Sequence, residues 1–451
     1  MQNAQEQKYK LMTETPIKPL VCKLAVPTII SMLVTSFYNM ADTFFVGRIG
    51  TSASAAVGIV FSLMAIIQAT GFFFGHGSGN YISRALGRQD NESAAQMAAT
   101  GFFSALIAGL VIMVLGLIFL DPLAIALGST ETILPYAKDY MRIILIGAPF
   151  MTSSLVLNNQ LRFQGNAVYG MVGITSGAVL NIALDPLLIF VFDMGIAGAA
   201  LATVISQFVG LCLLWIGSRR GSSIAIRLRN FRPSLMLYQQ MTKGGAPSLL
   251  RQGLNSVATI CLNFSAGIYG DAAIAGMSIV TRIMQFANSC LIGFGQGFQP
   301  VCGFNYGAKK YGRVKEAFWF CGKLSTIVLL VLAIVGFTFS PQIVSIFRDD
   351  PEVIAVGKIA MKMQCITFPL AAWIVMCNMM TQTIGKAVRA SFLAMARQGL
   401  FFIPAVLILP RLFGLFGLEI SQAVADVITF ALAIPLQRKT LKEMDDEMSK
   451  T

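Results

Sequence analysis

Charge is scarce in this chain. Asp, Glu, Lys and Arg make up 12% of its 451 residues against 55% hydrophobic ones, too few to clothe a water-soluble body of that size. Histidine is nearly absent, His76 standing alone, and the eight cysteines form no C-x-x-C pair, so the usual zinc and thiol redox signatures are missing. Cys22, Cys212, Cys261, Cys290, Cys302, Cys321, Cys365 and Cys377 lie mostly inside apolar runs, where they read as small packing residues. No G-x-x-x-x-G-K-[ST] loop occurs, which excludes an ATP-driven step within the chain. An intramembrane enzyme would need a nucleophile with its base or a metal constellation, and a channel would need a filter-like loop; neither is present. The polar opening, with Lys8, Lys10 and Lys18, lacks the short apolar core and small-residue cleavage site of a secretory signal, so the first apolar run is expected to remain and direct insertion.

Long hydrophobic runs are what the chain has in abundance. Mean hydropathy is +0.70, and twelve runs, the first at 24–46 and the last at 417–437, are each long enough for the roughly 20 residues that span a bilayer. The fold class expected is an all-α polytopic membrane protein. An even span count puts both termini on one side, and roughly three quarters of the 34 Lys and Arg residues fall in that side's loops, Arg84, Arg162 and Arg397 counted among them. By the positive-inside rule both termini of this multi-pass protein face the cytoplasm. The net charge of +13 is thereby spent on topology, not clustered on one face as nucleic-acid binding requires.

The longest polar connection, residues 218–244, cuts the chain in half. It separates a tail (1–23) and first lobe (24–217) from a second lobe (245–437) and tail (438–451). At a constant offset of 220 residues, Pro27 meets Pro247, Gly50 meets Gly270, Gly87 meets Gly307, Pro149 meets Pro369, Asn158 meets Asn378 and Gly165 meets Gly385. Six spans per half make the repeat parallel, and two such lobes enclose a central cleft that rocking exposes to either side of the membrane in turn.

Each charge kept inside a span costs at least about 2.5 to 3.5 kcal/mol on the insertion scale, which makes it a site candidate. In the first lobe these are Asp42, in SFYNMADTFFVG, and Asp185, in LNIALDPLLIF, both near the outer ends of outward-running spans. Asn181 stands one turn before Asp185 on the same face, Tyr38 one turn before Asp42, and Thr203 follows in the sixth span. Oxygen ligands of this kind suit a proton network or a hard cation such as sodium and do not choose between them; Asp185 before Pro186 also suits a cap beyond a kink. The second-lobe counterparts of Asp42 and Asp185 are Leu262 and Ala405, so ion coupling is expected in the first lobe alone. The second lobe carries Arg251, Arg282 and Asp426. An Arg282–Asp426 ion pair is the simplest expectation, because buried charges pair, with substrate contact the alternative. Asn39, Gln285 and His76 complete the candidate cleft set, and the alternate glycines around His76 in GFFFGHGSGN suit close helix approach.

Several stretches together carry a family resemblance: PTIISMLVTSFYNMADTFFVGRIG at 27–50, SRALGRQD at 83–90, NIALDP at 181–186 and GFQPVCGFNYGA at 297–308. The chain resembles the multidrug and toxic compound extrusion (MATE) family over nearly its whole length, most closely its MepA-like bacterial branch. That resemblance implies twelve helices in two pseudo-symmetric lobes. It also implies a secondary antiporter that exports small organic, often cationic, compounds in exchange for H+ or Na+. Tyr38, Asp42, Asn181, Asp185 and Thr203 match the first-lobe coupling cluster of several members. No cofactor, nucleic acid or ATP is expected; the partners are the organic substrate and membrane lipids, and the chain is expected to act as a monomer. An acidic residue that NorM-type members carry in span seven is missing from PSLLRQGLNSVATICLN, so a second-lobe sodium site of that kind is not expected. A lipid-linked oligosaccharide flippase of the same wider superfamily is the alternative; it calls for a basic cleft, for which only Arg251 and Arg282 stand inside spans.

Overall fold

The computed structural model describes residues 2–221 and 224–449. Among these it forms sixteen α-helices and no strand. The first half holds α1 (Gln2–Glu14), α2 (Ile17–Gly47), α3 (Thr51–Gly87), α4 (Asn91–Ile118), α5 (Leu120–Ala126), α6 (Leu134–Phe163), α7 (Ala167–Pro186) and α8 (Gly195–Gly221). The second holds α9 (Leu235–Gly267), α10 (Asp271–Gly307), α11 (Tyr311–Thr338), α12 (Ser340–Phe347), α13 (Pro351–Thr383), α14 (Ala387–Met395), α15 (Ile403–Phe413) and α16 (Leu415–Met448). A π turn, Leu187–Val191, continues α7, and another, Ala396–Phe402, joins α14 to α15 within one span. Ten helical stretches are long and apolar enough to cross a membrane. The other two spans are α9 and α10, of 33 and 37 residues, ample at about 1.5 Å per residue. Their hydropathy is diluted by Gln252, Asn255, Thr259, Thr281, Gln285 and Asn288, which line a cavity. Twelve spans therefore form two six-helix lobes.

The 220-residue offset recurs in the backbone. The starts and ends of α3 and α4 reappear at α10 and α11, residue for residue. Gly50 and Gly270, ahead of α3 and α10, take φ of 153° and 92°, and Gly165 and Gly385, between the fourth and fifth spans of each lobe, take 76° and 85°. All four lie in the region that only glycine enters cheaply. Asn158 Nδ2 donates to Gly170 O at 3.1 Å and Asn378 Nδ2 to Ala390 O at 2.7 Å, the same tie between fourth and fifth spans in both lobes.

The lobes meet along α2 with α10 and α3 with α9, mostly toward the face that carries the termini. Thr28 Oγ1 donates to Gly293 O at 2.5 Å, and Arg84 in α3 donates to Thr383 O in α13. Glycines let the backbones touch there: a Cβ at Gly87 would collide with the Phe304 carbonyl, and one at its counterpart Gly307 with the Arg84 carbonyl. Farther along α2, Ser36 meets Ser289 at 2.9 Å and Phe37 lies edge-on to Phe286 at 5.5 Å across the lobes.

The stretch read as a polar tail is a helix laid across the terminal face. Lys8 Nζ in α1 donates to Gly165 O (2.8 Å) and Asn166 Oδ1 (2.6 Å) in the first lobe. Asn305 Nδ2 and Lys310 Nζ of the second lobe donate to Met12 O (3.0 Å) and Thr13 O (3.2 Å). Three residues counted as loop charges also differ from expectation. Arg84 and Arg162 are buried, at 7% and 3% exposure, and Arg397 lies in the π turn of the eleventh span.

Candidate functional site

The first-lobe cluster assembles around a break in the fifth span. Pro186 has no N–H to donate back along α7, the helix loosens into the π turn after it, and Asp185 sits at the break. Asp185, Asn181 and Thr203 are 0%, 1% and 2% exposed. Asn181, with its amide in the orientation that satisfies both ends, donates to Asp185 Oδ2 at 3.0 Å and accepts from Thr203 N at 3.2 Å. Thr203 Oγ1 donates in turn to Ala199 O at 3.1 Å. From α2, Asp42 lies within electrostatic reach of Asp185, with a buried Oδ1 that has no hydrogen-bond partner. The Tyr38 hydroxyl faces Thr203 and both carboxylates. All five residues predicted for this cluster are brought together. Sequence reasoning missed Tyr140 of α6, whose fully buried hydroxyl joins the same group; its neighbours Lys138, Asp139 and Arg142 make that stretch look like a loop edge.

Such a site offers carboxylate, amide and hydroxyl oxygens behind a wall of protein. Two carboxylates within electrostatic reach of each other are costly to leave both charged and unpaired, so the arrangement favours a bound proton or cation beside them. Among the described residues no group of three or more His, Cys, Asp or Glu is placed to hold a metal ion.

Two cavities open from the region between the lobes. The first, about 150 Å³, is lined by Tyr38, Asn39, Asn181 and Thr203 and reaches Asn159 and Arg162 at the far end of α6. The second, about 400 Å³, lies in the second lobe and carries Arg251, Gln285, Arg397, Gln422 and Asp426 on its wall. A drug-sized ligand takes roughly 300–1,000 Å³, so only the second has that room.

The second lobe corrects the expected ion pair. Asp426, 3% exposed, accepts from Arg397 Nε at 2.7 Å and Nη2 at 3.3 Å, and from Gln422 Nε2 at 2.9 Å. Arg282 is exposed and lines neither of these cavities. The pairing principle held and the partner differed, because the π turn swings Arg397 inward at a point where the sequence suggests a loop end. His76 also departs from the cleft set: it is 3% exposed, stacked on Phe72 at 5.4 Å and edge-on to Phe163 at 6.2 Å, behind the cavity wall. Its flanking glycines do allow close approach; a Cβ at Gly75 would stand 2.8 Å from Asn159 Nδ2.

The MatE family model matches residues 27–187 and 247–407, two copies at the 220-residue offset of the internal repeat. The chain belongs to the MATE family. It is similar to the multidrug export protein MepA of Staphylococcus haemolyticus (strain JCSC1435), 29% identical over 423 residues, 93% of each chain. It is also similar to MepA of Staphylococcus aureus (strain MSSA476), 27% identical over 415 residues, 92% of each. Among solved structures, MATE in complex with MaL6 superimposes with a TM-score of 0.91 at 26% identity, covering 97% of this chain and 99% of that one. An outward-facing conformation of a multidrug resistance MATE family transporter of the MOP superfamily gives the same TM-score and identity, covering 97% and 98%. A MOP superfamily transporter from Pyrococcus furiosus Vc1 (DSM3638) does likewise. As a MATE chain, the protein is a membrane transporter of the multidrug efflux family and not an enzyme, and the flippase alternative is not favoured.

Proposed function

We propose that this MATE chain is an antiporter that exports small organic compounds in exchange for H+ or Na+, with the coupling ion held by Asp42, Asp185, Asn181, Tyr38 and Thr203. The observation that carries this is the enclosed Asn181–Asp185–Thr203 network with Asp42 beside it. Entry of one positive charge supplies about 2.3 kcal/mol per 100 mV of membrane potential, enough for modest uphill export without ATP. With the basic loops and both termini in the cytoplasm, the contacts at Thr28–Gly293 and Gly87–Phe304 close the cytoplasmic side, so the arrangement is open outward. Protonation or sodium binding in the first lobe and substrate release from the cleft would alternate with the lobes rocking about their shared α2, α3, α9 and α10 contacts. The larger second-lobe cavity, with Gln285 and Asp426 on its wall, has the room for the substrate, and the chain works as a monomer in the bacterial cytoplasmic membrane.

The test is accumulation of a fluorescent cationic dye in an efflux-deficient bacterial host. Wild type lowers accumulation, while Asp42→Asn and Asp185→Asn at equal membrane expression return it to the level of the empty host. Retained export by both variants would remove the coupling role from this cluster, and replacing sodium at fixed pH then separates Na+ from H+ as the driving ion.

A further inference from the structure

The floor between the two lobes holds cationic groups that the coupling cluster does not use. Arg162 ends α6 at the base of the first cavity and is 3% exposed. Its Nη2 donates to Asn159 Oδ1 at 2.6 Å and its guanidinium lies over the Phe163 ring at 5.1 Å, but its Nε is buried without a partner. Arg251, on α9, faces the second cavity, and among the described residues its one side-chain hydrogen bond is a long donation to Asn378 Oδ1 at 3.3 Å. The two guanidiniums lie within electrostatic reach of each other across the lobe interface, and His76 stands within reach of both. Among the described residues neither arginine forms an ion pair: the pairs present belong to Lys10, Lys138, Lys315, Lys386, Arg389 and Arg397. Asp42 and Asp185 line neither cavity; they stand behind Tyr38, Asn181 and Thr203, which line the first.

Desolvating two like charges side by side with no counter-charge costs several kcal/mol, and a buried cation is normally paired. The two guanidiniums supply donors only, in the planar fork that fits a carboxylate with two parallel bonds. We propose that the cleft floor between Arg162 and Arg251 is an anion site that takes a compact monoanion, either a carboxylate carried by the transported compound or a free halide. One arginine comes from each lobe, so the anion bridges them while the terminal face is closed. Separation of the lobes on that face pulls the two guanidiniums apart and weakens its hold. The site stands on its own geometry, and only its link to rocking rests on the export reading above.

The experiment measures the thermal midpoint of the purified full chain in detergent at neutral pH. Sodium bromide and sodium acetate are titrated against sodium isethionate, a bulky reference anion, at constant ionic strength. A saturable rise with bromide and acetate alike supports the site with a free anion as sufficient occupant; a rise with acetate alone supports it as the seat of a substrate carboxylate. In both cases Arg162→Gln and Arg251→Gln weaken the apparent affinity at least five-fold, and Arg251→Lys keeps part of it. No saturable response in wild type overturns the proposal, as does a response that both glutamine variants retain in full. Should Arg162→Gln fail to fold, Arg251→Gln, whose side chain is half-buried at the cavity wall, decides alone. An unchanged anion response in Asp42→Asn keeps failure of the coupling reading apart from failure of this one.

Discussion

The two lobes share a skeleton and almost none of their polar chemistry. Glycine conformations, helix limits and the Asn158 and Asn378 ties repeat at one offset. Yet Tyr38, Asp42, Asn181, Asp185 and Thr203 correspond to Ala258, Leu262, Phe401, Ala405 and Ala423. In the other direction, Arg397 and Asp426 correspond to Gly177 and Ser206. Backbone geometry is what a pair of lobes must have in common to close on each other about one axis. Side chains facing the interior are released from that constraint, so one lobe can hold two unpaired carboxylates while the other neutralises its acid with an arginine. Both lobes also loosen the fifth span into a π turn beside their charge, a device often found at functional sites; the shared weakness in the helix is used for different chemistry.

That contrast is broken most severely by separating the charges of the second lobe. Asp426→Asn leaves the partly buried Arg397 without its counter-ion, a loss of about 3 kcal/mol, the low end for breaking a buried pair, read as a fall in the thermal midpoint of the purified protein. The double variant Arg397→Met with Asp426→Leu removes both charges and recovers most of the stability, since replacing a buried ion pair by apolar residues is often neutral. Ion-driven dye export survives in the double variant if the second lobe contributes structure and not coupling. Its loss there, at wild-type stability, would put a coupling role in the second lobe and end the asymmetry.

The skeleton was legible in the sequence because hydropathy and repeated Gly and Pro positions report backbone directly. The five residues of the first-lobe cluster were legible for a related reason: an acid inside an apolar run is expensive enough to stand out, and its helical neighbours one turn away come with it. Tyr140, Arg162 and Arg397 were not. A buried tyrosine among charged neighbours carries no such flag, and Arg162 looks like one more basic residue at a helix end. Arg397 lies inside a π turn within the eleventh span, a local widening of the helix that no periodicity of 3.6 anticipates. The wrong partner expected for Asp426 follows from counting Arg397 with the loop charges.

The shared skeleton can be tested by its own symmetry. A Cβ at Gly87 would meet the Phe304 carbonyl and one at Gly307 the Arg84 carbonyl, the same contact generated twice. Gly87→Ala and Gly307→Ala are therefore expected to destabilise the closed terminal face equally, by about 1–3 kcal/mol for overpacking a tight site. Thermal midpoints of the two variants should agree closely, and unequal losses would show that the lobes close asymmetrically despite matching backbones.

The smallest expected effect lies where the corners after the fourth span of each lobe are tied down. In the first lobe Lys8 of α1 holds Gly165 and Asn166; in the second, Lys386 and Arg389 pair with Glu443 on the charged extension of α16 beyond the membrane, Lys386 Nζ at 3.0 Å. The Arg389 guanidinium bonded to Glu443 holds its carboxyl down at about 2, below its ordinary 4.5. A carboxylate depressed in the folded state contributes stability that is complete above about 4.5 and is lost as pH falls toward 2. Glu443→Gln should accordingly lower the thermal midpoint at pH 7 by the equivalent of about 1 kcal/mol or less, and the gap between wild type and variant should narrow as pH drops below 4.5. Burial of Lys8 lowers its amine to about 8, so the first-lobe corner responds in the opposite range: it firms as pH rises from about 8 toward the ordinary lysine value. Hydrogen exchange of the two corners at matched intrinsic rates would show the second loosening on the acid side and the first tightening on the alkaline side, two ties of one geometry set by opposite chemistry.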